Sequence, residues 1–204
     1  MNEQIPRSSV RTTQFADGLP RRSWTVTEFG KLAAMGLFQG DGINGERLEI
    51  LGGEIVAMSP KGSRHELVRN TLLAFWYRRR NSSAGIVGET PVILDETSQP
   101  LPDLTIIAPG IELADVKADD VVLVVEVADT SFTKDTRLKA QLYAAAGIRD
   151  YWVINAETLV TTIFREPTDS GYQSRTDITP DQILTPLAAP ELALALDELG
   201  LPAA

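Results

Sequence analysis

The chain has 204 residues, 43% hydrophobic and 23% charged, a balance ordinary for a globular domain with a sizeable core. It contains no cysteine, which excludes disulfides and thiolate metal sites, and no apolar run approaches the roughly 18 residues needed to span a bilayer. A net charge of −9 argues against a protein that coats nucleic acid through a generally positive surface.

Residues 1–23 form an expected flexible arm with little periodicity, and 24–204 one folded domain. The polar, Arg-containing N-terminus lacks the apolar core of a signal peptide, so we expect a cytoplasmic protein without membrane contact. Thr25-Val26-Thr27-Glu28 has the pattern of a capping box opening a short helix to about Leu37. RLEIL, Gly52-Gly53 and EIVAM predict a hairpin, the two glycines supplying the positive φ of a tight turn. Ser63-Arg64-His65-Glu66 has a second capping-box pattern, followed by the amphipathic stretch LVRNTLLAFWYRRR, whose last turn carries Arg78, Arg79 and Arg80.

Strands are predicted near Ile86–Gly88, Pro91–Leu94, Leu101–Ile107 and Val121–Ala128, with an acidic loop over Gly110–Asp120. A helix follows from about Lys134 to Ala146, then strands at YWVIN, Leu159–Phe164 and a short one at Tyr172. The closing LALALDEL fits helix or strand. This order predicts a single α/β sheet with helices packed on it. Charge is unevenly spread: Asp177, Asp181, Glu191, Asp197 and Glu198 form a tail free of Lys and Arg, whereas Lys61 to Arg80 sets six basic residues against Glu66. That basic stretch is a candidate phosphate-contacting face, with an ordinary solvated helix as the plainer explanation.

One acid interrupts an apolar strand: Val121 to Ala128 is VVLVVEVA, with Glu126 inside it. A carboxylate buried there must be neutralised, hydrogen-bonded or bound to metal. Asp103, in QPLPDLTII, begins another apolar strand; alone it fits a simple turn aspartate. Lys139 shares a helical stripe with Asp135 at i−4 and Tyr143 at i+4, with Leu138 and Leu142 marking the adjacent apolar face. A solvated, ion-paired face would explain that stripe equally simply. Together, however, two carboxylates and a lysine on neighbouring elements point to a divalent-metal hydrolytic site. Mg²⁺ takes oxygen ligands and keeps several waters, so one or two carboxylates suffice beside a phosphate. A nearby lysine can orient water or offset developing charge.

The segments ERLEILGGEIVAMSPKGSRHELV, QPLPDLTII and LVVEVADTSFTKDTRLKAQLYAAAGIRDYWVIN resemble the Uma2 family, a branch of the PD-(D/E)XK nuclease superfamily. The most specific part is the series Asp135, Lys139, Tyr143, Gly147, Tyr151 and Trp152. The resemblance implies a restriction-endonuclease-like mixed sheet flanked by helices, and a Mg²⁺-dependent (or Mn²⁺-dependent) endonuclease acting on nucleic acid, DNA foremost. It implies that Asp103, Glu126 and the Val127 backbone carbonyl hold the metal and that Lys139 replaces the strand lysine missing at Ala128. Glu49 and His65 fall on recurring family positions, as a supporting carboxylate and a substrate contact; Asp135 and Tyr143 are further supporting residues. Ala128-Asp129-Thr130 departs from the family's usual Leu-Ser-Pro, and Asn155 from its usual Asp.

Two other outcomes fit the residues. One is a catalytically inactive, dimeric interaction module that keeps the nuclease fold; the other is a purely structural Glu126–Lys139 ion pair in the core. A homodimer is expected, since two-fold pairs are the commonest oligomer and cutting a duplex takes two cuts.

Overall fold

The computed structural model describes residues 21–36, 47–79, 85–129 and 132–201. Its axis is β5 (Val121–Ala128), whose alternation divides the core in two. Leu123, Val125 and Val127 face one side, and Val124 and Ala128 face the other. A strand buried on both faces needs apolar residues at nearly every position, which VVLVVEVA supplies except at Glu126.

Around β5 lies a six-stranded sheet. In sheet order it comprises β3 (Gly85–Gly88), β4 (Leu104–Ile107), β5, β6 (Asp150–Asn155), β7 (Thr161–Thr168) and β8 (Gly171–Ile178). Only β5 and β6 run parallel; the other pairs are antiparallel. A parallel pair needs a crossover, and helix α3 makes it. This helix runs continuously through Phe132–Lys134, a π-helical turn Asp135–Lys139, and Ala140–Ala145. It ends at Gly147, whose φ of +78° allows Ile148 N–H to reach back to the Tyr143 carbonyl at 3.0 Å.

Helix α2 (Ser63–Arg79) covers the opposite face, burying His65, Val68, Leu72, Phe75 and Trp76 at helical spacing. The C-terminal segment closes over that core: Leu184, Leu192, Leu194 and Leu196 pack into it, and Trp76 donates its indole N–H to the Leu192 carbonyl at 2.9 Å. Ahead of these elements stand α1 (Val26–Ala34) and the hairpin β1 (Leu48–Leu51) and β2 (Glu54–Ala57). Thr25 and Glu28 complete the predicted capping box. Gly52 and Gly53, at φ +57° and +79°, make the predicted hairpin turn. The architecture is the mixed, helix-flanked sheet that was expected.

Several boundaries differ. Ser63 is the first helical residue rather than a cap, since the Glu66 N–H bonds to the Gly62 carbonyl at 3.1 Å. The predicted strand at Pro91–Leu94 is only a single bridge, Ile93 with Lys117, because Val92 and Leu94 bond back to Pro100 and Ser98. LALALDEL divides into the short strand β10 (Leu194–Ala195), paired with β9 (Ile183–Leu184), and a 3₁₀ turn at Leu196–Leu199. Arg80, Thr130 and most of the predicted N-terminal arm lie outside the described residues.

The structure decides which way the polar stripe of α3 faces. Asp135, Lys139 and Tyr143 point inward and are buried, whereas Leu138 is 45% exposed. The polar stripe is the packing face, because its partners are the buried acids below.

A second buried ionic site braces the far end of β6. Asp150 is fully buried and receives Arg165 Nε and Nη2 (2.9 and 3.3 Å), Trp152 Nε1 (2.8 Å) and Leu187 N (2.9 Å). Arg165→Ala would leave that carboxylate without its cation. We expect it to cost about 3–5 kcal/mol in urea unfolding; a loss under about 1 kcal/mol would show that the two amide-type donors suffice.

Candidate metal centre

Asp103 immediately precedes β4, and one step beyond the Leu104–Val125 register sets it across from Glu126. Cross-strand neighbours hold their side chains roughly 5 Å apart on one face. Sheet pairing alone therefore brings the two acids together. Both are buried, and both line one small cleft. One wall is the 58–62 segment between β2 and α2; another is the α3 turn bearing Lys134, Asp135 and Lys139.

The acids have contrasting surroundings. Asp103 Oδ2 accepts the Val127 N–H and faces His65 Nε2, each at 2.9 Å, and Oδ1 accepts from Lys61 Nζ at 2.7 Å. Burial disfavours the charged form, but His65 and then Lys61 outweigh it and hold the Asp103 carboxyl well below the usual carboxylate range. Glu126 receives Lys139 Nζ at 2.8 Å and the Tyr143 hydroxyl at 3.3 Å, both on Oε1. Here burial dominates. Lys139 counters it only in part, Asp103 and Asp135 add to it, and Glu126 is pushed up to about 8.

Lys139 is held protonated by the acids around it. Burial opposes its charge, but Glu126, Glu49 and Asp135 together hold its pKa above the ordinary lysine value. Glu49 Oε2 lies 3.3 Å from Lys139 Nζ and Asp135 Oδ1 4.0 Å, so three carboxylates share one ammonium. Tyr143 is likewise held in its neutral form, first by burial and then by the Glu126 charge.

The Uma2 family model, described as "Putative restriction endonuclease", matches residues 41–197. The chain belongs to the Uma2 family. A solved structure described as a "putative nuclease belonging to DUF820", from Anabaena variabilis, superposes with a TM-score of 0.61 at 17% identity. The match covers 86% of this chain and 96% of that one, and it supports the fold. No curated protein matches the chain at a significant level. Membership places the chain in a nuclease family, whose class of chemistry is hydrolysis of phosphodiester bonds. Among the described residues no helix is long and apolar enough to cross a membrane.

Of the Uma2 positions singled out from sequence, His65, Asp103, Glu126, Asp135 and Lys139 line this cleft, Glu49 and Tyr143 contact Lys139 and Glu126 beside it, and Trp152 packs in the core on the other face of the sheet. Glu49 joins from β1: its Oε1 pairs with Lys134, and its Oε2 faces Lys139 and accepts the Leu101 N–H at 3.4 Å. His65 reaches Asp103 and is only 6% exposed; its Nδ1 makes no hydrogen bond, Glu66 Oε1 lying 3.4 Å away without suitable geometry. Ala128, where the superfamily lysine would stand, is fully buried against α3. Asn155 departs from the usual Asp without consequence for its turn: its Oδ1 accepts the N–H groups of Glu157 and Thr158, as a carboxylate would.

Lys61, Lys134 and Glu89 were not singled out from sequence. In an ordinary α-helix, residues five apart sit about 140° apart around the axis, so Lys134 and Lys139 would not share a target. The π turn between them changes this: Ala140 N–H bonds to the Asp135 carbonyl, five residues back, and both lysines meet Glu49. No sequence period announces such a turn. Lys61 carried a weak signal, standing beside Gly62 at the foot of α2 and opening the basic stretch noted from sequence.

The donor set fits a hard divalent cation. Asp103 and Glu126 offer carboxylate oxygens, and Val127 presents its N–H to Asp103; in an antiparallel ladder a residue's N–H and C=O face the same neighbour. Among the described residues no cluster of three His, Asp or Glu could hold a metal by side chains alone. Two carboxylates, one carbonyl and water suit Mg²⁺ or Mn²⁺ better than a closed protein cage. The basic stretch at Lys61–Arg79 is largely engaged within the chain. Lys61 pairs with Asp103, Arg64 Nε donates to the Ala156 carbonyl, Arg69 meets Glu66, and Arg79 donates to the Ala193 carbonyl.

Proposed function

We propose that this Uma2 protein is a Mg²⁺- or Mn²⁺-dependent endonuclease that cleaves nucleic acid, DNA foremost, and acts as a homodimer. The observation that carries the reading is Asp103 placed across from Glu126 in one cleft, with Lys139 against the second acid. Asp103, Glu126 and the Val127 carbonyl would hold the cation. Bound there, the cation lowers the pKa of a water and offsets charge on the phosphoryl oxygens. Lys139 orients Glu126 and the attacking water, and Glu49 keeps Lys139 charged and in place. His65 fixes the carboxylate plane of Asp103.

The test is incubation of the purified chain with supercoiled and linear DNA, single strands and RNA, in Mg²⁺, Mn²⁺ or EDTA. We expect cation-dependent cleavage that EDTA stops and Asp103→Ala abolishes. Intact substrates throughout would defeat the proposal.

One observation favours the inactive, dimeric module: Asp103, Glu126 and Glu49 each already have a basic partner within the chain. Under that reading calorimetry finds no Mn²⁺ site that Asp103→Ala removes.

A further inference from the structure

Asp103 has one oxygen left for a cation, and a lysine holds it. Oδ2 is committed to the His65 ring and the Val127 N–H, while Oδ1 meets Lys61 Nζ at 2.7 Å. The same ammonium pairs with Glu89, and Glu66 Oε1 lies 3.9 Å away. Only 13% of the Lys61 side chain is exposed, so this is a sheltered contact between named partners rather than a waving surface lysine.

Glu89 is built to receive it. Its backbone adopts φ +50°, uncommon outside glycine, and its N–H bonds to the Asp103 carbonyl at 3.2 Å. Arg47 and Arg69 stand 2.8 and 3.6 Å from its carboxylate, which fixes the side chain beside the metal acid. Lys61 thus sits between two carboxylates that other groups of the chain also hold, only one of which faces Glu126 across the sheet.

We propose that Lys61 is the resident counter-cation of Asp103, competing with the divalent ion for Oδ1 and passing to Glu89 when the ion binds. The inference rests on the metal reading above. It follows that the ion binds weakly to the free protein, because it must displace an ammonium and then sit near it. A substrate phosphate gives that ammonium another partner. Metal and nucleic acid therefore favour each other's binding, and by linkage the effect is reciprocal.

The experiment is calorimetric titration of Mn²⁺ into the full chain without nucleic acid. Lys61→Met, similar in length but uncharged, is expected to bind Mn²⁺ about tenfold more tightly than the native chain. Lys61→Arg should bind no more tightly than native. Glu89→Gln should bind more weakly, because Lys61 then loses the close carboxylate to which it could pass from Asp103, Glu66 lying 3.9 Å away.

The opposite signs matter: a merely structural bridge would lose affinity whichever end was removed. Native-like or weaker binding by Lys61→Met overturns the inference while leaving the metal site standing. Should Lys61→Met fail to fold, Glu89→Gln decides, and unchanged or tighter binding there overturns it. Absence of any Mn²⁺ site in both the native chain and Lys61→Met removes the metal reading and this inference together.

Discussion

Replacing Lys139 with alanine will cost about 3–5 kcal/mol of folding stability, because the change leaves buried carboxylates without their shared cation. Lys139 is 3% exposed and lies 2.8 Å from Glu126, 3.3 Å from Glu49 and 4.0 Å from Asp135. Glu126 can escape by taking up a proton, since burial already pushes it up to about 8. Glu49 cannot do so cheaply. Burial opposes its charge, and Lys139 followed by Lys134 is what keeps its pKa below the ordinary value.

The deficit should grow with pH. Removing the ammonium raises the folded-state pKa of both acids, so the variant binds protons more tightly than its unfolded chain. The penalty is small where the unfolded carboxyls are also protonated and is full once pH passes the raised folded values. Urea unfolding at pH 5 and pH 8 checks both size and trend. A deficit below about 1 kcal/mol at pH 8 would mean that Lys134 and water compensate.

Glu126→Gln is expected to have the opposite character: abolished metal-dependent cleavage with native or higher stability. Gln keeps an oxygen for Lys139 and Tyr143, while Lys139 retains Glu49 and Asp135 as counter-charges. The sign follows from the raised pKa. Below the ordinary value of 4.5 the Glu126 carboxyl is neutral in both folded and unfolded chains and costs nothing. Between 4.5 and about 8 the unfolded chain ionises more readily, so native stability falls as pH rises. The Gln variant lacks that term and should gain on the native chain across this window, by on the order of 2–4 kcal/mol at pH 8. Added Mn²⁺ should raise the native melting temperature and leave that of the variant unchanged. If the variant melts lower than the native chain at pH 8, Glu126 is a structural ion-pair partner.

The two halves of this site were unequally legible in sequence. Glu126 stood out because a carboxylate in VVLVVEVA contradicts its own strand, and Asp103 because it opens the neighbouring one. Local patterning and hairpin chemistry likewise foretold α1, the β1–β2 turn and the amphipathic face of α2. Side-chain direction on α3 was left open by the sequence, because a solvated, ion-paired face explained the Asp135–Lys139–Tyr143 stripe as simply as a place in the site; the stripe is buried and the apolar Leu138 is the exposed residue. Hydrophobic period assumes that water is the best partner for charge. Here three buried acids are the better one, and they come from β1, β5 and α3 itself. Lys134 and Glu89 were illegible, and Lys61 legible only as part of a basic stretch, for a related reason: their partners lie 28 to 85 residues away in sequence, and a π turn resets the phase of one of them.

The central claim is that Asp103 and Glu126 form one divalent-metal site. Anomalous diffraction from crystals of the native chain soaked in Mn²⁺ tests it most directly. We predict a peak within coordination distance of Asp103 Oδ1, a Glu126 carboxylate oxygen and the Val127 carbonyl, absent from Asp103→Ala crystals. Density that leaves Lys61 on Asp103 and Lys139 on Glu126, with no peak between the two acids, would contradict it.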